Sequence, residues 1–89
     1  MVRMFVKHRV SDYAAWRKGY DAFDPSRTRL GVRGHEVYRD LDDPNTVTAW
    51  HDFDDADAAR RFAGSAELKS AMKGAGVVGA PKIWFTRQA

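Results

Sequence analysis

The 89-residue sequence predicts one small α+β domain whose elements follow the order β-α-β-β-α-β. Three observations predict this class: an alternating apolar run at the start, two stretches of helical apolar spacing, and a turn-rich segment between two β-branched stretches. The length suits a single domain, residues 1–89, so function must lie in one pocket or on one face. The commonest solution for this order is ferredoxin-like, a four-stranded antiparallel sheet with the helices on one face.

The first strand and the first helix follow from the spacing of their apolar side chains. Residues Val2–Val10 alternate with the period of a half-buried strand. Aromatic side chains then recur at spacings of three, four and three, which places them on one stripe of a helix: Tyr13, Trp16, Tyr20 and Phe23. We expect this helix to end by Asp24, because Pro25 disfavours helical geometry in the residue before it.

A basic loop and a β-hairpin are predicted for the middle of the chain. The loop is expected at 26–31. The two strands are expected at 32–40 and 46–53, with the turn between them at 41–45. If Asp40 pairs with Thr46, His35 lies directly opposite His51. The loop's arginines are more simply explained as solvated than as an anion site: Arg27, Arg29 and the nearby Arg33.

The last third of the chain predicts two short helices and a final strand. Aspartates crowd the start of the first helix, a break at Gly64-Ser65 starts the second, and Pro81 opens the strand 82–87. The run 74–79 matches the letters G-x-G-x-x-G, but here a helix precedes it and a strand follows it, the reverse of a dinucleotide site. We therefore expect helix termination and a flexible connection.

Composition excludes several classes of function. The chain has no cysteine, which excludes disulfides, thiolate nucleophiles and cysteine-ligated metals. Its net charge of +3 comes from interspersed side chains, so nucleic-acid binding is not expected. No apolar run approaches the length of a membrane span, and we expect a cytoplasmic protein without a membrane partner.

The sheet face opposite the helices is predicted to be aromatic. Alternation places on it Phe5, Glu36, Tyr38, Thr48, Trp50 and Trp84. Such a patch is too large to be left exposed on a monomer. The sequence therefore predicts a homodimer through the sheet face, a dimeric α/β barrel.

Histidines and aromatic side chains form the candidate site. His8, His35 and His51 all fall on the helix-facing side of their strands, and imidazole suits proton transfer near neutral pH. Each one alone is more often a hydrogen-bonded structural residue, and His8 is expected at the far end from the other two, so no metal site is predicted. The aromatic stripe of the first helix is most simply core; as a pocket wall it would suit a flat aromatic or polyketide-like ligand.

Several segments resemble small bacterial proteins of the dimeric α/β-barrel superfamily, of the cyclase-like and antibiotic-biosynthesis-monooxygenase-like kinds. They are His8–Trp16, Val37–Asp40, Trp50–Asp54, Ala59–Leu68 and Ala75–Val77. The resemblance implies a homodimer that binds a ligand between sheet and helices, for cofactor-independent oxygenation, polyketide cyclisation, isomerisation or haem degradation. Haem-degrading relatives carry tryptophan where Phe53 stands and a histidine on the second helix where Phe62 and Ala63 stand, which weighs against haem chemistry.

The leading hypothesis is a cofactor-independent enzyme, a cyclase or monooxygenase, acting on a small aromatic or polyketide-like substrate. It assigns His51 as general base, His35 as a positioning residue, and Tyr20 or Tyr13 as donor to a developing oxyanion. Substrate contacts are assigned to His8, Tyr13, Trp16, Phe53 and Phe62, with no cofactor and no metal. Two alternatives stay open: a non-catalytic ligand-binding or stress-associated homodimer, and a haem-binding protein.

Overall fold

A computed structural model describes residues 1–89 as a four-stranded antiparallel sheet with helices packed on one face. The elements are β1 Val2–Val10, α1 Tyr13–Ala22, α2 Asp24–Arg29, β2 Gly34–Arg39, β3 Thr46–Phe53, α3 Ala56–Ala63, α4 Ala66–Gly74 and β4 Val77–Arg87. The strand order is β2-β3-β1-β4, and every neighbouring pair is antiparallel. The predicted ferredoxin-like class is confirmed. No helix has the length and apolar character that crossing a bilayer requires.

The predicted hairpin register is confirmed. His35 pairs with His51 across β2 and β3, and Met4 pairs with His51 across β1 and β3. The sheet therefore places both histidines on its helix-facing side, with His51 beside Met4, the most buried side chain of β1. Phe53 and Phe62 pack against each other at the centre of the core, with 5.3 Å between ring centroids.

Side-chain caps set where the helices begin. The carboxylate of Asp12 accepts a hydrogen bond from the Ala14 N–H at 3.2 Å, and that of Asp55 accepts one from Ala58 at 2.8 Å. The hydroxyl of Ser65 accepts one from the Leu68 N–H at 3.1 Å, which starts α4 directly after α3. Each cap satisfies a backbone donor that the first turn of a helix leaves free.

The predicted basic loop at 26–31 is wrong, because residues Asp24–Arg29 form the helix α2. Helix α1 does end at Ala22, before the proline, as expected. Pro25 then lies in the first turn of α2, where its missing N–H costs no hydrogen bond and its fixed φ suits a helix. The turn between α1 and α2 carries Arg27 into the core instead of into solvent.

The predicted flexible glycine connection is also wrong, because β4 already begins at Val77, five residues before the expected start at Lys82. Val77 and Val78 pair with Val10 and Arg9 of β1. The register then shifts, so that three residues of β4 oppose one of β1, and Pro81 lies in this irregular stretch. A bulge tolerates proline because the ladder there does not require its missing N–H.

The sheet face opposite the helices carries the predicted aromatic side chains together with charged ones. Phe5 stacks on Trp84 with 5.2 Å between centroids and 7° between planes. The Arg3 guanidinium lies 3.6 Å from the Trp50 ring centroid and donates two hydrogen bonds to the Asp52 carboxylate, at 2.7 and 2.9 Å. This aromatic face is ordered by stacking and by one bidentate ion pair.

Candidate active site

A cavity lies between the sheet and the helices α1 and α4. Its walls are formed by Met4, Val6, His8, Trp16, Gly19, Tyr20, Phe23, Arg27, Ala49, His51, Leu68, Ala71, Met72 and Ala75. The volume open to the centres of water molecules is about 40 Å³, room for about three waters. Most lining side chains are apolar, but four buried nitrogens around it have no hydrogen-bond partner within the protein: both of His8, Nδ1 of His51 and Nε of Arg27. Unsatisfied buried polar atoms are rare, so their concentration around one cavity makes it the candidate functional site.

A chain of hydrogen bonds connects the cavity wall to solvent. The Tyr20 hydroxyl lies 2.7 Å from Nδ1 of His35, and Nε2 of His35 lies 3.0 Å from Oδ1 of Asp24. An ionised carboxylate only accepts, so Nε2 carries the imidazole proton and Nδ1 accepts from the hydroxyl of Tyr20. Burial raises the pKa of Tyr20 to about 12, despite the nearby positive charges of Arg27 and Arg17, so the phenol stays protonated. Carboxylate, imidazole and phenol thus form an ordered relay.

His51 lies behind this relay as a neutral imidazole. Its ring is nearly parallel to that of His35, with 5.7 Å between centroids, and it also contacts the rings of Phe62 at 5.2 Å and Tyr20 at 6.1 Å. Burial, and to a smaller extent the charge of Arg27 and repulsion from His35, together lower the pKa of His51 to about 3. A ring that does not protonate near neutral pH offers Nδ1 to the cavity without adding charge.

Arg27 is the buried cation of the site. Its guanidinium lies 3.9 Å from the Tyr20 ring centroid and 5.5 Å from that of Phe23, and it donates a hydrogen bond to the backbone carbonyl of Tyr20. Sequence reasoning missed its burial, although a signal was present. The aromatic stripe of α1 continues from Phe23 to Arg27 at a spacing of four, through Pro25.

His8 occupies the other end of the cavity. His8 on β1 pairs with Val47 on β3. Val47 and His51 are four residues apart on β3, which separates their Cα atoms by about 13 Å. Trp16 packs against the ring edge of His8 with 5.6 Å between centroids, and burial lowers the pKa of His8. The cavity therefore has polar side chains at both ends and a largely apolar lining between them.

The predicted site residues are only partly brought together. His8, Trp16, Tyr20 and His51 line the cavity, and His35 contacts two of them. Tyr13, Phe53 and Phe62 do not line it: the Tyr13 ring lies beneath the Arg39 guanidinium at 3.8 Å, and the two phenylalanines fill the core. No group of three or more histidine, aspartate or glutamate side chains is arranged to hold a metal ion. Neither α3 nor α4 carries a histidine.

Fold and cavity together define a small ferredoxin-like protein with a largely apolar cavity between its sheet and its helices. The chain belongs to the antibiotic biosynthesis monooxygenase family, whose model matches residues 4–74. Comparison with proteins of curated function gives no match.

Solved structures of similar fold include proteins grouped under the same family name. A Bordetella bronchiseptica protein superimposes with a TM-score of 0.84 at 19% identity, over 99% of this chain and 96% of its own. SnoaB from Streptomyces nogalater, a cofactor-independent oxygenase, superimposes with a TM-score of 0.75 at 18% identity, over 99% of this chain and 94% of its own. At these identities the likeness shows the shared fold.

Proposed function

We propose that the protein is a cofactor-independent oxygenase that acts on a small aromatic or polyketide-like substrate bound in the cavity. The observation that carries the proposal is the hydrogen-bonded chain from Asp24 through His35 to Tyr20, which ends at the cavity wall. Family membership and the likeness to SnoaB support the same reaction class.

Oxygenation without a cofactor requires a substrate that reduces O₂ itself. An activated methylene group loses a proton to give a carbanion or enolate, which transfers electrons to O₂; overall, a CH₂ group and O₂ give a carbonyl group and water. The protein's part is to remove the proton, stabilise the anion and exclude bulk water. The apolar middle of the cavity suits the last of these tasks.

The relay supplies the proton acceptor. The Tyr20 oxygen accepts the substrate proton while its own proton passes to Nδ1 of His35, and the carboxylate of Asp24 stabilises the resulting imidazolium. Tyr20 then donates a hydrogen bond to the substrate oxyanion. This assignment joins the roles proposed from the sequence for Tyr20 and His35 into one pathway.

His51 is the second candidate base, because its Nδ1 is buried at the cavity without a partner. Its low pKa makes it a weak proton acceptor, since a general base works best with a pKa near the operating pH. We therefore propose that His51 orients the substrate as a neutral ring, with His8 and Trp16 contacting the substrate's other end.

Helix α4 is the wall through which we expect the substrate to enter. None of its side chains is fully buried, although Leu68 and Met72 face the cavity. An ion pair between Arg29 of α2 and Glu67 of α4 closes its outer edge. An element with few buried contacts opens at low free-energy cost, which allows a planar ligand to enlarge the narrow cavity.

A homodimer through the aromatic face completes the proposal. On the sheet surface opposite the helices, Phe5 stacks on Trp84, and Trp50 lies under the Arg3 guanidinium. An aromatic patch rimmed by charges is typical of protein interfaces. Sedimentation equilibrium at micromolar concentration tests this; a monomer would contradict it. The cytoplasmic location expected from the sequence stays a prediction, to be tested by cell fractionation.

Oxygen uptake with 9(10H)-anthrone, in metal-chelating buffer without flavin or haem, tests the function. Anthrone carries a methylene group activated by two aryl rings and a carbonyl. Wild-type protein is expected to accelerate uptake; Tyr20→Phe and Asp24→Asn should lower kcat about a hundredfold or more, as for loss of general-base catalysis. Tyr13→Phe is the matched control, because the Tyr13 hydroxyl lies outside the cavity.

The narrowness of the cavity favours one second candidate, a ligand-binding homodimer without turnover. The same experiment separates the two. Saturable binding of anthrone without protein-dependent oxygen uptake supports the binding protein and contradicts the oxygenase. Uptake that is unchanged in Tyr20→Phe would contradict the relay.

A further inference from the structure

Arg27 has a permanent charge that the protein balances only in part. Its side chain is 3% exposed, yet the nearest carboxylate oxygen, Oδ1 of Asp24, lies 3.5 Å from Nε, beyond a close hydrogen bond. Asp24 is itself 56% exposed and accepts from His35 at 3.0 Å. Buried cations are normally held by close, fully hydrogen-bonded carboxylates, because the desolvation of a charge is costly.

The protein holds this guanidinium in place without using all its donors. Stacking on the Tyr20 ring and one hydrogen bond to the Tyr20 carbonyl fix its position. The N–H at Nε is left without an acceptor, beside the cavity that Arg27 lines. A planar, pre-positioned guanidinium is the group best suited to a carboxylate, phenolate or enolate oxygen.

A second unsatisfied nitrogen lies at the same end of the cavity. Nδ1 of His51 is buried without a partner, and both side chains line the same space. In the tautomer that carries its proton on Nδ1, the neutral His51 ring donates to an anionic oxygen placed there. The surrounding walls are largely apolar, which strengthens any charge–charge contact made there.

We propose that Arg27 is an anion-binding residue, and that the cavity selects ligands that place a negatively charged oxygen between Arg27 and His51. This inference rests on the cavity being the ligand site of the proposed function and names the substrate class: planar aromatic compounds with a carboxylate, or with an enol or phenol that ionises on binding. The bound anion places a negative charge against the Arg27 guanidinium, which the distant and partly exposed Asp24 carboxylate neutralises only in part.

The test compares two ligands of the same shape, 2-naphthoate and the neutral 2-naphthamide, by titration calorimetry. Wild-type protein is expected to bind the carboxylate about tenfold to a hundredfold more tightly, the ratio for one hydrogen bond between charged groups. Arg27→Met should reduce this ratio to about one, because it weakens the binding of 2-naphthoate and leaves the binding of 2-naphthamide unchanged. Arg33→Gln is the matched control: it removes the same charge from an exposed site and should leave the ratio unchanged.

Thermal melting distinguishes this role from a structural one. Replacing a poorly paired buried charge by an apolar side chain of similar length is neutral or stabilising, so the Tm of Arg27→Met should not fall below that of wild type. Arg27→Lys, which keeps the charge but loses the planar fork, is the second variant and should give an intermediate binding ratio.

Each contrary outcome has a distinct meaning. If wild-type protein binds the amide as tightly as the carboxylate, or if the preference survives in Arg27→Met and in Arg27→Lys, the inference is refuted while the oxygenase proposal stands. If neither ligand binds to wild-type protein, the inference is refuted, and oxygen uptake with anthrone decides the oxygenase proposal separately.

Discussion

The buried histidines should make the stability of the protein depend on pH in a calculable way. His51 has a pKa of about 3 in the folded protein against 6.5 as its ordinary value, so the unfolded chain binds more protons throughout that interval. Stability is then fully present above about pH 6.5 and is lost as the pH falls towards 3. At about pH 5, His51 lowers the free energy of unfolding by about 2 kcal/mol. The figure is 1.36 kcal/mol per pH unit over the interval from the unfolded pKa of 6.5 down to about pH 5.

This magnitude depends little on how far below 5 the folded pKa lies. The assay is urea unfolding at about pH 7.5 and about pH 5, at one protein concentration, because association also changes apparent stability. His51→Leu should lower the difference in the free energy of unfolding between the two pH values by about 2 kcal/mol. Burial also lowers the pKa of His8, so His8→Leu should reduce the difference in the same direction.

The same pH dependence in His51→Leu as in wild-type protein would refute the reasoning. It would mean that His51 protonates in the folded state near its ordinary pKa, in contact with solvent. The role of a neutral ring at the cavity would then have to be abandoned.

Three further predictions concern helix α4 as the entry wall, the core and the dimer. Glu67→Gln removes the ion pair with Arg29 and should speed association of 2-naphthoate severalfold at low salt, with a smaller effect at high salt, in stopped-flow measurements; equal rates would contradict a closing role. Phe62→Ala should lower the free energy of unfolding by about 3–5 kcal/mol in urea titrations, because Phe62 is 1% exposed; a loss below about 1 kcal/mol would contradict its place in the core. Trp84→Glu breaks the stack with Phe5 and should give a folded monomer in sedimentation; a dimer of unchanged affinity would move the interface elsewhere.

The fold and the histidine pair could be predicted from the sequence because they depend on local periodicity. Alternation in three strands fixed which side chains face the helices, and turn residues fixed the hairpin register that pairs His35 with His51. The break between α3 and α4 at Gly64-Ser65 followed from local capping signals, and the sheet arrangement followed from the commonest solution for this order of elements.

Arg27 and Asp24 were not predicted as site residues. The spacing of Arg27 continues the aromatic stripe of α1, but the sequence does not show that the chain forms a second helix after Pro25. A run of charged residues after a proline usually indicates a solvated loop, whereas here the chain turns directly into a second helix. That turn buries one arginine and brings Asp24 to the histidine on β2. The early start of β4 was missed for a related reason, since pairing with β1 overrides the low strand propensity of glycine.

The most direct test of the account is ¹⁵N NMR of the histidine rings in the free protein and with 2-naphthoate. We expect the tautomer of His35 with its proton on Nε2, a His51 ring that stays neutral to below about pH 5, and shifts of both rings on addition of the ligand. A His51 ring that titrates near its ordinary pKa, or a ligand that shifts neither ring, would contradict a catalytic site in this cavity.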